Sequence, residues 1–546
     1  MGGGARPTRT PGMTFARRMF ALHERSAASG IPVDELAGQA EETRRAKLHT
    51  RREVVVAGAS AAAGVAFAVS PGASLAKKLA KPSSAPRIAI VGAGLAGLRC
   101  AHLLWTADPA QPHASTVYEA NPERSGGRCW TLRDFFSNGL VTEHGGSFLN
   151  TDQTAVRGLA AELGLSEELV DGGDLPSGDE VFFIEGALYT LAEAQHDWST
   201  LAYEVFKGAL KESKSEAGEA KLDNMSVPEW LESTPIGAHS RFGKLMMANT
   251  VTENGGDPGE QSALDLIELI AFNKRSSVLP LPGDDERFHI VDGNDQLVSG
   301  MIAQLPDETV QHEHELIAVH ENANRSIALT FAVGSATMQV TADFVVFALP
   351  FNTLRRVALA RSGLSATKRK VIHTMGMGTN AKIHLELSHK TWPALGYSGA
   401  TYGEWDRLAC AWDDVVQLGP DASPALYLAF PGGKVGKTGI SGEAHGAAPE
   451  VDASWALSQI EHVFPGTTAA YTGRAYEDHW ALDPWVQGAY SYYKVGQAST
   501  YGRLARKPEG RFLFAGEHTS IANIGFLDGA VETGEHAARR LIRRLT

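Results

Sequence analysis

The chain of 546 residues contains only three cysteines, Cys100, Cys129 and Cys410, with no CxxC pair and no paired framework. Neither a disulfide scaffold nor a thiolate zinc site fits that usage, and Cys100, inside a helical stretch, reads as a small core hydrophobe. Positive charge is also short: 50 Lys and Arg stand against 63 Asp and Glu, a net charge of −13. Such a balance is a poor match to a nucleic-acid backbone. No HExxH, no Ser–His–Asp set and no close carboxylate pair stands in a catalytic context. His312 and His314, in "QHEHE", read as exposed loop histidines rather than metal ligands. Composition is otherwise that of a globular chain, 43% hydrophobic and 21% charged, and its length allows two domains.

The first 85 residues stand apart. "HTRREVVVAGASAAAGVAFAVSPGASLAKK" begins with the pair Arg51 and Arg52, continues as an Ala/Gly/Val run, and ends in Ser74-Leu75-Ala76. The run is short and alanine-rich for a membrane span, and small residues at 74 and 76 suit a signal-peptidase cut after Ala76. The stretch resembles a twin-arginine export signal, with Val54 and Val55 in place of the usual bulky apolar pair and a long leader ahead of it. That resemblance implies the twin-arginine export machinery as a partner and an extracellular or cell-envelope location. No later run is long and apolar enough to span a bilayer.

"RIAIVGAGLAGLRCAHLL" carries the first chemical signal. The run Ile88 to Val91, bounded by Pro86 and Gly92, reads as a buried parallel strand. Gly92, Gly94 and Gly97 form GxGxxG at the strand-to-helix turn. The first allows the tight turn, the second lets a pyrophosphate reach the backbone, and the third permits close helix–strand packing. Backbone N–H groups and the helix dipole favour the phosphate charge. Glu119, ending the next apolar run, lies about 20 residues beyond and suits a ribose hydroxyl. Glycine turns occur without nucleotides, but this order of strand, turn, helix and acid points to dinucleotide binding.

Three further segments carry a family resemblance. "NPERSGGRCWTLRDF" supplies Gly126, Gly127 and Arg128; "VTEHGGSFLNTD" supplies Glu143, Gly145 and Gly146; "FAGEHTSIANIGFLDGAVETGEHAA" closes the chain. In this order they resemble the flavin-containing amine oxidase family of monoamine, polyamine and L-amino-acid oxidases, over roughly residues 86–546. The resemblance implies FAD rather than NAD, since a second glycine-rich hook serves the longer flavin. It places Arg128 on a phosphate, the backbone of Leu316 at the adenine end, and Gly516 and Glu517 near the ribityl or phosphate groups. The amide of Leu527, at a helix N-terminus, is implied to face the flavin's pyrimidine edge. Ala489 occupies the place where animal monoamine oxidases attach FAD through cysteine, so the cofactor is expected to be non-covalent.

Lys382 sits in the alternating stretch "AKIHLEL", and the pattern alone reads it as a solvated strand residue. The resemblance implies a catalytic lysine that reaches the flavin N5 through a water and assists reoxidation by oxygen. Tyr490 and Phe526 match the two aromatic positions flanking the amine, with Phe in place of the commoner Tyr at 526. Facing rings form a slot that aligns the substrate C–H bond; the bland alternative is a pair of core aromatics.

The substrate is less defined. An L-amino-acid oxidase needs a cation for the carboxylate, and Phe148 stands where snake-venom-type relatives carry arginine; Arg275 is another candidate. Amines therefore lead, with an L-amino acid as the alternative and molecular oxygen as the acceptor. A diamine would want an acid at the far end of the pocket, for which "LPLPGDDERF" and "ELIAF" offer candidates. A non-amine desaturase or a flavin-binding interaction protein forms a third class. The expected fold is α/β, with a GxGxxG Rossmann-like FAD-binding domain (86–160, 285–350, 500–546) interleaved with an α+β substrate domain (161–284, 351–499). "KESKSEAGEAKLDN" reads as a mobile charged surface stretch. Assembly, a homodimer included, is left open.

Overall fold

The computed structural model describes residues 11–33, 35–36, 85–169, 178–271, 286–415 and 418–546. Arg51, Arg52, Ala76, Arg275 and the acids at 284 and 285 lie outside the described residues.

The run Ile88–Val91 is buried at every position, as a strand must be when both faces are covered. It pairs in parallel with Phe344–Phe347 on one side and Ser115–Tyr118 on the other. Phe512–Phe514 and Val310–Gln311 extend this to a five-stranded sheet built from segments spread along the whole chain. Helices Leu95–Thr106 and Leu527–Leu545 cover one face, crossing so closely that a Cβ on Gly534 would lie 2.4 Å from the Ala96 carbonyl oxygen. The other face packs on a four-stranded sheet that includes Glu315–Glu321 and Ile327–Val333.

The second half of the fold is an eight-stranded sheet with Lys382–Leu387 between Tyr471–Asp478 and Ala425–Phe430. Alternation predicts one wet face for this strand, yet all six residues are buried. Ile383, Leu385 and Leu387 meet helix Glu450–Glu461. The opposite face is covered by the segment around residues 137–147: Ser137 donates to Glu386, and Lys382 donates to Ser147. A helical layer packs beyond the sheet, containing Arg241–Asn254 and Ala263–Ala271. The N-terminal helix Pro11–Ser29 joins this layer through Met19, Phe20 and Leu22.

Two sequence expectations are corrected. The "KESKSEAGEAKLDN" stretch is not a loose surface run, because it contains helix Glu216–Asp223, capped by the Ser215 hydroxyl. Its Leu222 and Asp223 are 1% exposed. The Asp223 carboxylate accepts hydrogen bonds from Ser262 Oγ, the backbone N–H of Ala498 and Ser499 Oγ. Likewise "QHEHE" is no exposed loop: His312 bonds Ser125 Oγ at 3.0 Å, and the His314 ring lies 5.5 Å from that of Tyr118.

Losing the Asp223 anchor strands the buried Ser262 hydroxyl, worth about 1–3 kcal/mol, and leaves the half-buried donors of Ala498 and Ser499 to solvent. Asp223→Ala should therefore lower the thermal midpoint by several degrees in a melting experiment. An unchanged midpoint would show that solvent replaces the carboxylate at no cost.

Candidate active site

One long cavity, of about 360 Å3, runs between the two halves, with a glycine-lined end and an aromatic end. At the glycine end the backbone must come very close to itself. Gly92 has φ of +104°, and a Cβ on Gly97 would lie 1.9 Å from the Gly92 carbonyl oxygen. Gly94 caps helix Leu95–Thr106 with no side-chain cap, so its first-turn amides face the cavity mouth. Gly126 and Gly127, both with positive φ, lay the next loop against this turn through Gly126 N–H to Ala93 O at 2.8 Å. Glu119 accepts from the N–H groups of Ala93 and Asn121 at 2.7 and 2.9 Å. Burial pushes its carboxyl up, against those same bonds. Leu316 lines the wall beside His314.

Arg128 crosses the cavity floor, donating to Ala489 O and, at 2.9 Å, to Glu517 Oε1. Gly145 and Gly146 serve packing: Cβ atoms there would lie 1.9 Å from Arg128 O and 3.0 Å from the Leu527 side chain. Gly516 has φ of +126°, turning the chain so that Glu517 faces inward. Helix Leu527–Leu545 again begins without a side-chain cap, at Phe526. Two uncapped helix N-termini thus open on one elongated cavity. A cradle of glycines at one end and a pair of half-buried Arg128 and buried Glu517 between them fit a dinucleotide flavin.

The aromatic end holds Lys382, Tyr490, Phe526, Phe148, Trp412 and Phe430. Lys382, 4% exposed, donates from Nζ to Glu143 O at 2.7 Å and Ser147 Oγ at 2.8 Å. Burial lowers its pKa, and the carboxylates of Asp414, Asp478 and Glu143 offset this only in part. The Tyr490 hydroxyl donates to Thr252 O, which fixes the ring plane. Glu143 itself turns away from the cavity, accepting from His289, Asn294 N and Thr131. Every described residue singled out in the sequence as a cofactor or catalytic candidate lies in or directly behind this cavity.

A polar cluster behind Lys382 escaped the sequence reading. His144 and His445 each place Nδ1 2.7 Å from Asp478 Oδ1, and His384 Nε2 is 3.4 Å from Oδ2. The two Nδ1 contacts are hydrogen bonds to the Asp478 carboxylate, while His384 Nε2 stands only at ion-pair distance; His144, His445 and Asp478 also bring three potential ligand atoms within 4.8 Å. His144 stands beside Glu143 in "TEHGG", but nothing local marks it, because its partner Asp478 is 334 residues away. Burial alone would raise the Asp478 pKa; the three imidazoles outweigh it and hold the carboxyl well below its usual range. His445 is raised because Asp478 and Asp483 overcome the opposing effect of burial.

A family model described as flavin containing amine oxidoreductase matches residues 95–542. Amine oxidase [flavin-containing] A of Equus caballus is 23% identical over 480 residues, 84% of this chain and 85% of the relative. Pseudooxynicotine dehydrogenase of Pseudomonas sp is 25% identical over 503 residues, 88% of this chain and 92% of its own. An L-amino-acid oxidase of Vipera ammodytes ammodytes is 24% identical over 490 residues, covering 85% and 94%. Among solved structures, cyclohexylamine oxidase from Brevibacterium oxydans IH-35A superposes with a TM-score of 0.69 at 21% identity, covering 84% of this chain and 99% of that one. Putrescine oxidase bound to putrescine gives 0.63 at 21% identity, covering 85% and 100%.

A histidine whose folded pKa is raised stabilises the fold fully below its ordinary value, and that contribution fades as pH climbs through the raised value. The ordinary value for His445 is 6.5. The stability gap between wild type and His445→Gln should therefore be widest below about pH 6.5 and narrow on the alkaline side. Thermal melts from acid to alkaline buffer measure it; a gap that widens with pH contradicts a charged His445.

Proposed function

Because this chain belongs to the flavin-containing amine oxidoreductase family, we propose that it is an FAD-dependent amine oxidase. In this reading a primary or secondary amine is converted to the imine, water hydrolyses the imine to a carbonyl compound and ammonia or an amine, and O2 becomes H2O2. FAD is held without a covalent link, position 489 being alanine. Bound FAD supplies the two-electron acceptor for the substrate C–H bond and delivers the pair to oxygen.

The observation that carries the choice of amine is the charge at the aromatic end. Among the described residues, the arginines on the cavity wall are Arg124, Arg128 and Arg356. Each has an acidic neighbour: Asp483 at 4.0 Å, Glu517 at 2.9 Å and Glu315 at 3.5 Å, respectively. Among the described residues, the wall shared with Tyr490 and Phe526 instead offers Phe148, Trp412 and Phe430, with the lysine Lys382 and the carboxylate Glu286 as its charged groups. That lining suits an apolar body bearing an amine better than an amino-acid carboxylate, which calls for a bidentate guanidinium. Two of the structurally similar proteins are named for amines, cyclohexylamine and putrescine.

The chain's own groups then have definite tasks. The Tyr490 and Phe526 rings hold the amine carbon in line. An apolar slot containing Lys382 disfavours a second cation, so the substrate sits there as the neutral amine whose lone pair the oxidation requires. Lys382, anchored by Glu143 O and Ser147 Oγ, positions a water for the reoxidation step. The arginine pair and the Ala76 site support export by the twin-arginine route to the envelope or medium.

Anaerobic mixing of the purified protein with amines and with L-amino acids, followed by flavin absorbance, tests the substrate class. Bleaching by amines is the expected result; bleaching by amino acids alone transfers the protein to the L-amino-acid oxidases. Lys382→Met should slow reoxidation of the reduced protein by oxygen by at least tenfold, on the order of 1.4 kcal/mol, while FAD content stays near one per chain. Oxygen reactivity equal to wild type removes the role given to the lysine.

A further inference from the structure

Lys382 is held by two acceptors on one short segment, Glu143 O and Ser147 Oγ. Whatever fixes that segment therefore places the amine. Thr142 and Glu143 form one side of a two-stranded ribbon with Thr131 and Leu132, and the Thr142 hydroxyl donates to Asp414 Oδ2. The same oxygen lies 3.0 Å from Nδ1 of His384, two residues along the strand from Lys382. Asp414 is itself fixed through its backbone N–H, which donates to Leu426 O at 3.1 Å. Thr142, Lys382, His384 and Asp414 are all buried. One carboxylate oxygen thus joins the covering segment to the lysine's own strand, one residue from the carbonyl that the lysine uses.

An apolar contact would join the two layers at less cost, because a buried carboxylate has to be desolvated. Burial would raise the Asp414 carboxyl, but the hydrogen bond and charge of His384, with the charge of Lys382, hold it below its usual range. Four charged or titratable groups surround the lysine from the elements packed on it. They are Asp414, Asp478 on strand Tyr471–Asp478, Glu143 on the covering segment and His384 on the lysine's own strand. Asp478 is already bonded to His144 and His445, and Glu143 to His289. Of the three anions, Asp414 opposes the effect of burial on Lys382 most. We propose that Asp414 is a positioning residue for amine oxidation: through Thr142 it sets the carbonyl that aims Lys382, and its charge sets the field in which that amine works. The assignment rests on the part given to Lys382 in reoxidation, and the test separates the two.

Two variants divide the bond from the charge, each read by mixing the reduced, FAD-loaded protein with oxygen across a range of pH. Asp414→Asn keeps an acceptor for Thr142 but removes the anion. Lys382 then loses a proton more readily, so the pH profile of reoxidation should move to the acid side by about one pH unit. Thr142→Val removes the bond but keeps the anion. Reoxidation should slow by roughly threefold or more, with the profile left in place. Both effects should vanish when Lys382→Met is already present, since the three groups act as one unit. A readout that needs no turnover is the absorbance of the resting oxidised flavin, titrated with acid and base. Its transition should be displaced to lower pH in Asp414→Asn and absent in Lys382→Met. If Lys382→Met itself reoxidises like wild type, the role of the lysine falls, and that of Asp414 with it. The Asp414 assignment alone is overturned if Lys382→Met is slow while Asp414→Asn and Thr142→Val match wild type in rate and profile. Equal slowing with and without the lysine overturns it too, because that marks a general loss of structure.

Discussion

The carboxylate of Glu517 ties the active site together. Its Oε1 accepts from Arg128 at 2.9 Å and from Ser491 Oγ at 3.0 Å, while Oε2 accepts from Gly525 N at 2.7 Å. Three segments that are remote or looped out in sequence thus meet on one buried acid: the early glycine loop, the aromatic strand before the last helix, and the turn leading into that helix. A buried acid is costly unless its charge is answered. Here a guanidinium and directed hydrogen bonds answer it, so the geometry of all three segments is set together. Tyr490 and Phe526 each lie next to a residue held by this acid, which is why the aromatic slot and the phosphate loop cannot move independently.

A second constraint is the strand carrying Lys382. Both of its faces are buried, so its three polar residues find their partners inside the protein rather than in solvent. Glu386 accepts from Ser137, His384 Nδ1 pairs with Asp414 while its Nε2 stands 3.4 Å from Asp478, and Lys382 donates to a carbonyl and a hydroxyl. Unlike His384, the lysine has no directly bonded carboxylate among the described partners. Burial then lowers its pKa, which suits an amine-handling site better than a fixed cation does. The histidine–aspartate cluster behind it confines the charge that the strand requires to groups that neutralise one another.

What could be read in the sequence follows from what each feature depends on. The glycine positions were legible because backbone sterics dictate them: a side chain at Gly97 or Gly145 would drive into a carbonyl oxygen 1.9 Å away. The strand, turn and helix around them follow from local pattern. The burial of Lys382 was not legible, since alternation says which residues share a face but not whether a distant segment covers it. His144 and Asp478 were missed for the same reason, being joined only by the fold. "KESKSEAGEAKLDN" misled because its charge count hides one buried apolar residue and one buried acid, and those two decide its order.

The two halves answer to different physics. The flavin half is fixed by main-chain approach and by two uncapped helix ends facing one cavity, and such features tolerate almost no side-chain change. The substrate half is assembled from side-chain packing, in which volume and polarity can be exchanged more freely. Variation among relatives that differ in the compound oxidised is accommodated more readily in that second layer. The N-terminal helix belongs to it, packed on the core that sets Thr252 and hence Tyr490. A segment that looks peripheral in the sequence therefore bears on the shape of the aromatic end of the cavity, without touching the groups that line its glycine end.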